Sequence, residues 1–199
     1  NVMKNPIGED GLATLMSAIK GTSVKTITGM VEGQTSIDWS NQALTVMDVK
    51  ILAANISFSP FTTALSEVNL SMNKCFGEGK YPDDYLDAFR GKPNGQHGID
   101  NDQSGWTAFC EALPSAKIQT LVVSDIGLGP VGLTTFAKFI PDSTAVNEIT
   151  LDRSPITGAT WGYLGNDVYG CEAGFDSDMS GFTAFCESIK SSVVSKLSV

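Results

Sequence analysis

Residues 65–75 read Leu65-Ser66-Glu67-Val68-Asn69-Leu70-Ser71-Met72-Asn73-Lys74-Cys75. Apolar side chains stand at offsets 0, 3 and 5, and an asparagine and a cysteine close the stretch. Residues two apart in a strand share a face, so Val68 and Leu70 mark a short strand with one buried side. The spacing returns at Ile118, Leu121 and Val123, at Val146, Ile149 and Leu151, and at Val194, Leu197 and Val199. Val24 and Ile27 begin a fifth set, which Gly29 completes poorly.

A second spacing alternates with the first. Anchors at offsets 0, 1, 4 and 8 occur at Gly11-Leu12-Leu15-Ile19, Asp48-Val49-Leu52-Ile56, Gly105-Trp106-Phe109-Leu113, Gly132-Leu133-Phe136-Ile140 and Gly181-Phe182-Phe185-Ile189. Apolar residues four apart lay one face of a short helix on a core. The chain therefore reads as successive β-α units, each too small to bury its own apolar face. Asn73-Lys74-Cys75 and Ser154-Pro155-Ile156 hold equivalent places after their strands, and Asn5-Pro6-Ile7-Gly8 fits the same place.

On these residues the unit resembles the leucine-rich repeat of the ribonuclease-inhibitor-like class, written L-x-x-L-x-L-x-x-N-x-L. Leu65 to Cys75 carries the match to the strand and its exit. Asn5-Pro6-Ile7-Gly8-Glu9-Asp10-Gly11-Leu12 resembles the family's turn into the helix, and Phe109-Cys110-Glu111-Ala112-Leu113 its helix end. The resemblance covers nearly the whole chain. It implies an α/β solenoid, a curved horseshoe segment with a parallel inner sheet and outer helices. Residues 1–199 would form one domain of about five repeats, expected as part of a longer array. The departures are Ile126 and Ser154, which stand where the family has asparagine.

Strand starts at 24, 65, 118, 146 and 194 lie 41, 53, 28 and 48 residues apart. A bare unit of this kind takes roughly 28 residues, so three spacings carry insertions. They are expected at Met30–Met47, Phe76–Ser104 and Thr157–Ser180, between strand end and next helix. Units stacked in register would bring them out along one rim. All four tyrosines, Tyr81, Tyr85, Tyr163 and Tyr169, lie there, with Trp39, Trp161 and Phe89. Large amphipathic rings on loops suit protein recognition. The open face of the sheet is a second candidate surface. Its outward positions are Thr28, Asn69, Val122, Thr150 and Ser198, flanked by Glu67, Thr120, Glu148 and Lys196, then Met72, Asp125, Asp152 and Arg153.

Two stretches 76 residues apart nearly coincide: DNDQSGWTAFCE from Asp100 to Glu111, and DSDMSGFTAFCE from Asp176 to Glu187. Both fit D-x-D-x-S-G-x5-E, close to an EF-hand calcium loop. An EF-hand also needs an entering helix, and the Gly-bearing residues before each copy read as loop. The recurrence is read as a structural repeat. Ser104 and Ser180 precede the helix-opening glycine, where a hydroxyl can cap free N–H groups. Asp100, Asp102 and Ser104, with Asp176, Asp178 and Ser180, remain the calcium candidates, and a calcium-dependent binding or adhesion module is the alternative reading.

The formal net charge is -9, with no Lys/Arg cluster, so a phosphate backbone would be repelled and nucleic acid is not an expected partner. No run approaches eighteen apolar residues, so no transmembrane segment is expected. Cys75, Cys110, Cys171 and Cys186 are too few for a disulfide scaffold at this length and read as small buried thiols. The compartment stays open, with an intracellular one favoured. His97, the one histidine, lies in a Gly/Pro-rich loop, and no CxxC, HExxH or P-loop motif is present. The glycines of Gly127-Leu128-Gly129-Pro130-Val131-Gly132 follow from the repeat register rather than from a phosphate site. Expected, then, is a non-catalytic protein-interaction or scaffold module without a resident cofactor. Its partner would be another protein or a larger complex, to which it could belong as an accessory subunit.

Overall fold

The computed structural model describes residues 1–78, 98–163 and 169–199, and of residues 160–163 and 169–173 the backbone alone. The protein is α/β. Among the described residues five α-helices, α1 (Glu9–Ile19), α2 (Val46–Phe58), α3 (Ser104–Ala112), α4 (Pro130–Phe139) and α5 (Ser180–Ile189), fall on the five sets of helical anchors. Among the described residues seven strands accompany them: β1 (Ser36–Asp38), β2 (Glu67–Asn69), β3 (Thr120–Val122), β4 (Glu148–Thr150), β5 (Thr160–Tyr163), β6 (Tyr169–Ala173) and β7 (Lys196–Ser198).

β1, β2, β3, β4 and β7 form one parallel sheet in chain order. Ile37, Val68, Leu121, Ile149 and Leu197 stand side by side across it. The first four are buried and their flanking residues are not, so one face of the sheet carries the core and the other meets solvent. Helices supply the rest of that core. Trp106 is fully buried, with ring centroids 5.8 Å from Phe76, 5.7 Å from Phe109 and 5.5 Å from Phe136. Its indole N–H, which burial would otherwise leave unpaired, donates to the Gly132 carbonyl at 2.9 Å.

The expected first strand is not where its spacing placed it. Residues 24–29 form no strand, and Thr28 is buried rather than outward. β1 lies instead inside the expected insertion at 30–47 and pairs Ser36 with Glu67. Gly29 offers no side chain to the core, and the Ile27 main chain is taken elsewhere. Its N–H donates to the buried Asn55 Oδ1 at 2.9 Å, and its carbonyl accepts from Val2 at 2.8 Å. The excess residues of this unit therefore lie between α1 and β1. Only the later two insertions leave the turn after a strand.

Those two insertions occupy equivalent places. α2 packs closely on α3 and α4 on α5, while α3 meets α4 more sparingly. The structural period is thus two β-α units, and one long insertion precedes the second helix of each pair. Their bases match. The Asp102 N–H reaches the Phe76 carbonyl at 3.2 Å, and Asp178 reaches Thr157 at 3.0 Å. Gly77 and Gly158, next to those carbonyls, both take left-handed conformations, with φ of 92° and 85°. The later insertion, expected as loop, contains an antiparallel β5–β6 hairpin.

Candidate interaction surfaces

Three residues after each of β1, β2, β3 and β4 the chain passes through a left-handed residue: Asn41, Met72, Asp125 and Arg153, with Lys4 in the same role before α1. A non-glycine side chain is disfavoured there unless the surroundings impose the conformation. The imposing group in one unit is Asn73. Its Oδ1 accepts from the Gln42 and Leu44 N–H groups at 3.0 and 2.9 Å, and its Nδ2 donates to the Trp39 and Leu70 carbonyls at 2.8 Å each. This ladder rung is not continued. Ile126 fills the next place with a buried side chain, and the Ser154 hydroxyl is buried without a partner.

The turns set the proposed sheet-face residues. Glu67 is exposed on β2 beside Thr120. Asn69 is half-buried and its Oδ1 accepts from the Ser71 N–H at 3.0 Å. Met72 is 42% exposed on its left-handed turn, and Arg153 is exposed on the equivalent one. Asp152 accepts from the Ser198 hydroxyl at 2.7 Å. Lys196 pairs with Glu148 across the same face. Sequence reasoning missed Asp38, which continues this row beside Asn69 and is exposed. Its carboxyl is held below the usual range by hydrogen bonds from Ser40.

Of the insertion aromatics, Tyr81 and Tyr85 lie outside the described residues. Trp161 and Tyr163 fall on β5 and Tyr169 on β6, with Tyr163 directly opposite Tyr169 and Trp161 opposite Cys171.

The acidic helix starts serve the helices around them. Ser104 and Ser180 are the first residues of α3 and α5, not their caps. Asp102 accepts from the Ser104 N–H and Asp178 from the Ser180 N–H, each at 2.9 Å. These bonds, with the serine hydroxyls, hold both carboxyls below the ordinary carboxylate range. Asp100 faces a different helix. Its Oδ1 accepts from Gly129 at 3.1 Å and Gly132 at 2.8 Å, and its Oδ2 from Val131 at 2.8 Å. A β-carbon at Gly129 or Gly132 would fall on that carboxylate, which is why the start of α4 needs both glycines. Asp176 is exposed. Among the described residues no three His, Cys, Asp or Glu side chains gather as metal ligands would.

Cys75 and Cys110 are fully buried, and burial pushes the Cys75 thiol up to about 12 and that of Cys110 well above its ordinary value. Neither is a nucleophile near neutral pH, since the thiolate is the reactive form. Among the described residues no helix is long and apolar enough to cross a membrane. No protein-family model matches the chain, and no curated protein matches it in sequence.

Proposed function

We propose that the chain is a leucine-rich-repeat solenoid acting as a non-catalytic protein-interaction or scaffold module. The observation that carries this reading is the paired placement of the two long insertions. Each leaves the turn after the first strand of a two-unit period, on the same kind of left-handed glycine base. Insertions repeated at one place in stacked units emerge side by side, and these two hold all four tyrosines of the chain. Aromatic residues on loops held by a rigid frame bury much area at small entropic cost. The open sheet face, with Glu67, Asn69, Met72, Asp152 and Arg153, would extend the contact. The same features suit an accessory subunit that contributes shape to a larger assembly.

The test is isolation of the native complex through a tag on this chain, followed by crosslinking. A stoichiometric protein partner crosslinked to residues 76–103, 157–175 or the sheet face supports the proposal. Replacing Tyr81, Tyr85, Tyr163 and Tyr169 by Ser is then expected to weaken that binding by tenfold or more, on the order of the loss of one interface hot spot. Unchanged affinity refutes the insertion surface.

A further inference from the structure

The row of helices is packed unevenly, and α1 meets α2 least of the consecutive pairs. Two features of the first unit keep these helices apart. α1 has Leu12 and Leu15 where α3 has the larger Trp106 and Phe109. The chain after α1 also forms no strand until β1, its Ile27 main chain being held by Asn55 and Val2. A cavity of about 450 Å³ opens at the C-terminal ends of the two helices. That volume is within the range that holds small ligands. One wall is α1 and the chain leaving it, with Met16, Ile19 and Val24; the other is the end of α2, with Phe58 and Pro60. Any unit before residue 1 would stack on the side of α1 away from α2, so the cavity does not depend on where the chain begins.

Two cations interrupt this apolar lining. Lys20, the C-cap residue of α1, and Lys25 both line the cavity and are exposed, and no Asp or Glu lines it among the described residues. Lys50, Lys190 and Lys196 are each paired with a glutamate. Lys20 and Lys25 have no carboxylate partner among the described residues. In a chain of net charge -9, two free ammonium groups beside one apolar hollow reverse the local sign. Lysine stems lie along apolar walls and keep the charge at the water. The main chain is also satisfied there. The carbonyl of Ile19, the last residue of α1, accepts from the Thr22 N–H at 3.0 Å and from its hydroxyl at 2.7 Å.

We propose that this cavity binds a small amphiphilic carboxylate, with its acyl body between Met16, Ile19 and Phe58 and its head group on Lys20 and Lys25. Burial of the acyl body supplies most of the affinity. The lysines select the sign of the head. The opposing term is the C-terminal end of α1, which carries roughly half a negative charge. The two ammonium groups outweigh it. Because both lysines are exposed, added salt weakens the charged part of the contact and leaves the apolar part. The cavity lies at the ends of α1 and α2, whereas the later insertions lead into the starts of α3 and α5. It shares no residue with those insertions or with the sheet-face residues, so it stands or falls separately from the proposed function.

Octanoate is the probe, titrated into the whole chain at low salt and followed by NMR. Octan-1-ol and octyltrimethylammonium serve as neutral and cationic probes with the same tail. Octanoate should bind saturably and shift the signals of Met16, Ile19, Val24 and Phe58. It should bind about fivefold or more tighter than octan-1-ol, the scale of two exposed ion pairs, and the cation should bind weakest. Replacing both lysines, Lys20→Gln with Lys25→Gln, should remove that preference and leave octan-1-ol binding unchanged. Both lysines are exposed, so the pair of changes does not threaten the fold. Met16→Trp fills the hollow and should abolish binding of all three probes, with the unfolding midpoint as the check on its fold. Lys138→Gln, on α4, should change nothing. An absence of saturable binding, shifts confined to other residues, or a head-group preference that survives loss of both lysines overturns the proposal.

Discussion

Asp100 lies in the loop before α3, yet its carboxylate binds the main chain of Gly132 in the first turn of α4, at 2.8 Å. The bond joins two pairs of helices whose direct contact is sparse. Its twin in sequence, Asp176, makes no such bond.

Asp100→Ala should therefore destabilise the protein by about 2–3 kcal/mol, the scale of a lost helix cap with charged hydrogen bonds. Asp176→Ala should leave stability within about 0.5 kcal/mol, as for an ordinary surface change. Urea unfolding of the two variants side by side measures the difference. Equal losses would show that Asp100 is no joint.

Asn73 makes four main-chain bonds of 3.0 Å or less from a fully buried site. Its replacement by Ala strands buried N–H and C=O groups and should cost about 3 kcal/mol or more. Ser154, at the equivalent place, has a buried hydroxyl without a partner. Ser154→Asn should restore the rung to the main chain of Ile126 and Leu128, adding about 1 kcal/mol. Thermal or urea unfolding reads both, with opposite signs.

The carboxyls of Asp102 and Asp178 are held low by Ser104 and Ser180. In the unfolded chain they titrate near the ordinary value of about 3.9. As pH falls, the unfolded state binds their protons first. The stability they add is thus present above about pH 4 and is lost as pH falls through the lower folded values. Asp102→Asn should flatten the acid limb of a stability–pH curve without altering its slope above pH 5. A limb identical to the parent's would discard the capping account.

Cys75 and Cys110 should resist thiol reagents in the folded state, with Cys75 pushed up to about 12 and wholly buried. Labelling followed by mass spectrometry should find both modified only under denaturing conditions, at a rate set by opening of the structure. Fast native labelling of Cys110 would mean that α3 is looser than its burial implies.

Much of this fold was legible because its units share one local rule. The anchors Gly-Leu/Trp/Phe at offsets 0 and 1, with further apolar residues at 4 and 8, placed four helices, and the Asp48-Val49 variant of the same spacing placed α2. The spacing read at 65–75 placed β2, β3, β4 and β7. It failed at Val24, where Gly29 leaves the apolar set incomplete and the Ile27 main chain bonds to Asn55 and Val2 rather than to a strand. β1 carries one strongly apolar residue, Ile37, between Ser36 and Asp38. Its pairing with β2 decided the matter, and pairing between residues 31 apart leaves no local mark. Among the candidate site residues, the sheet-face and turn positions of Asn69, Met72, Asp152 and Arg153 were legible because strand alternation and turn position are local properties.

The sequence by itself determined the β-α alternation, the helix faces and the near-twin acidic helix starts, because periodicity fixes which side of a short element is apolar. Only the tertiary structure decided which helix each aspartate serves. Asp100 and Asp176 open near-identical stretches and share a left-handed backbone, yet Asp100 caps α4 while Asp176 is exposed. The difference is the presence of a neighbouring helix start, and a carboxylate's bond depends on what faces it in space, not on what surrounds it in sequence.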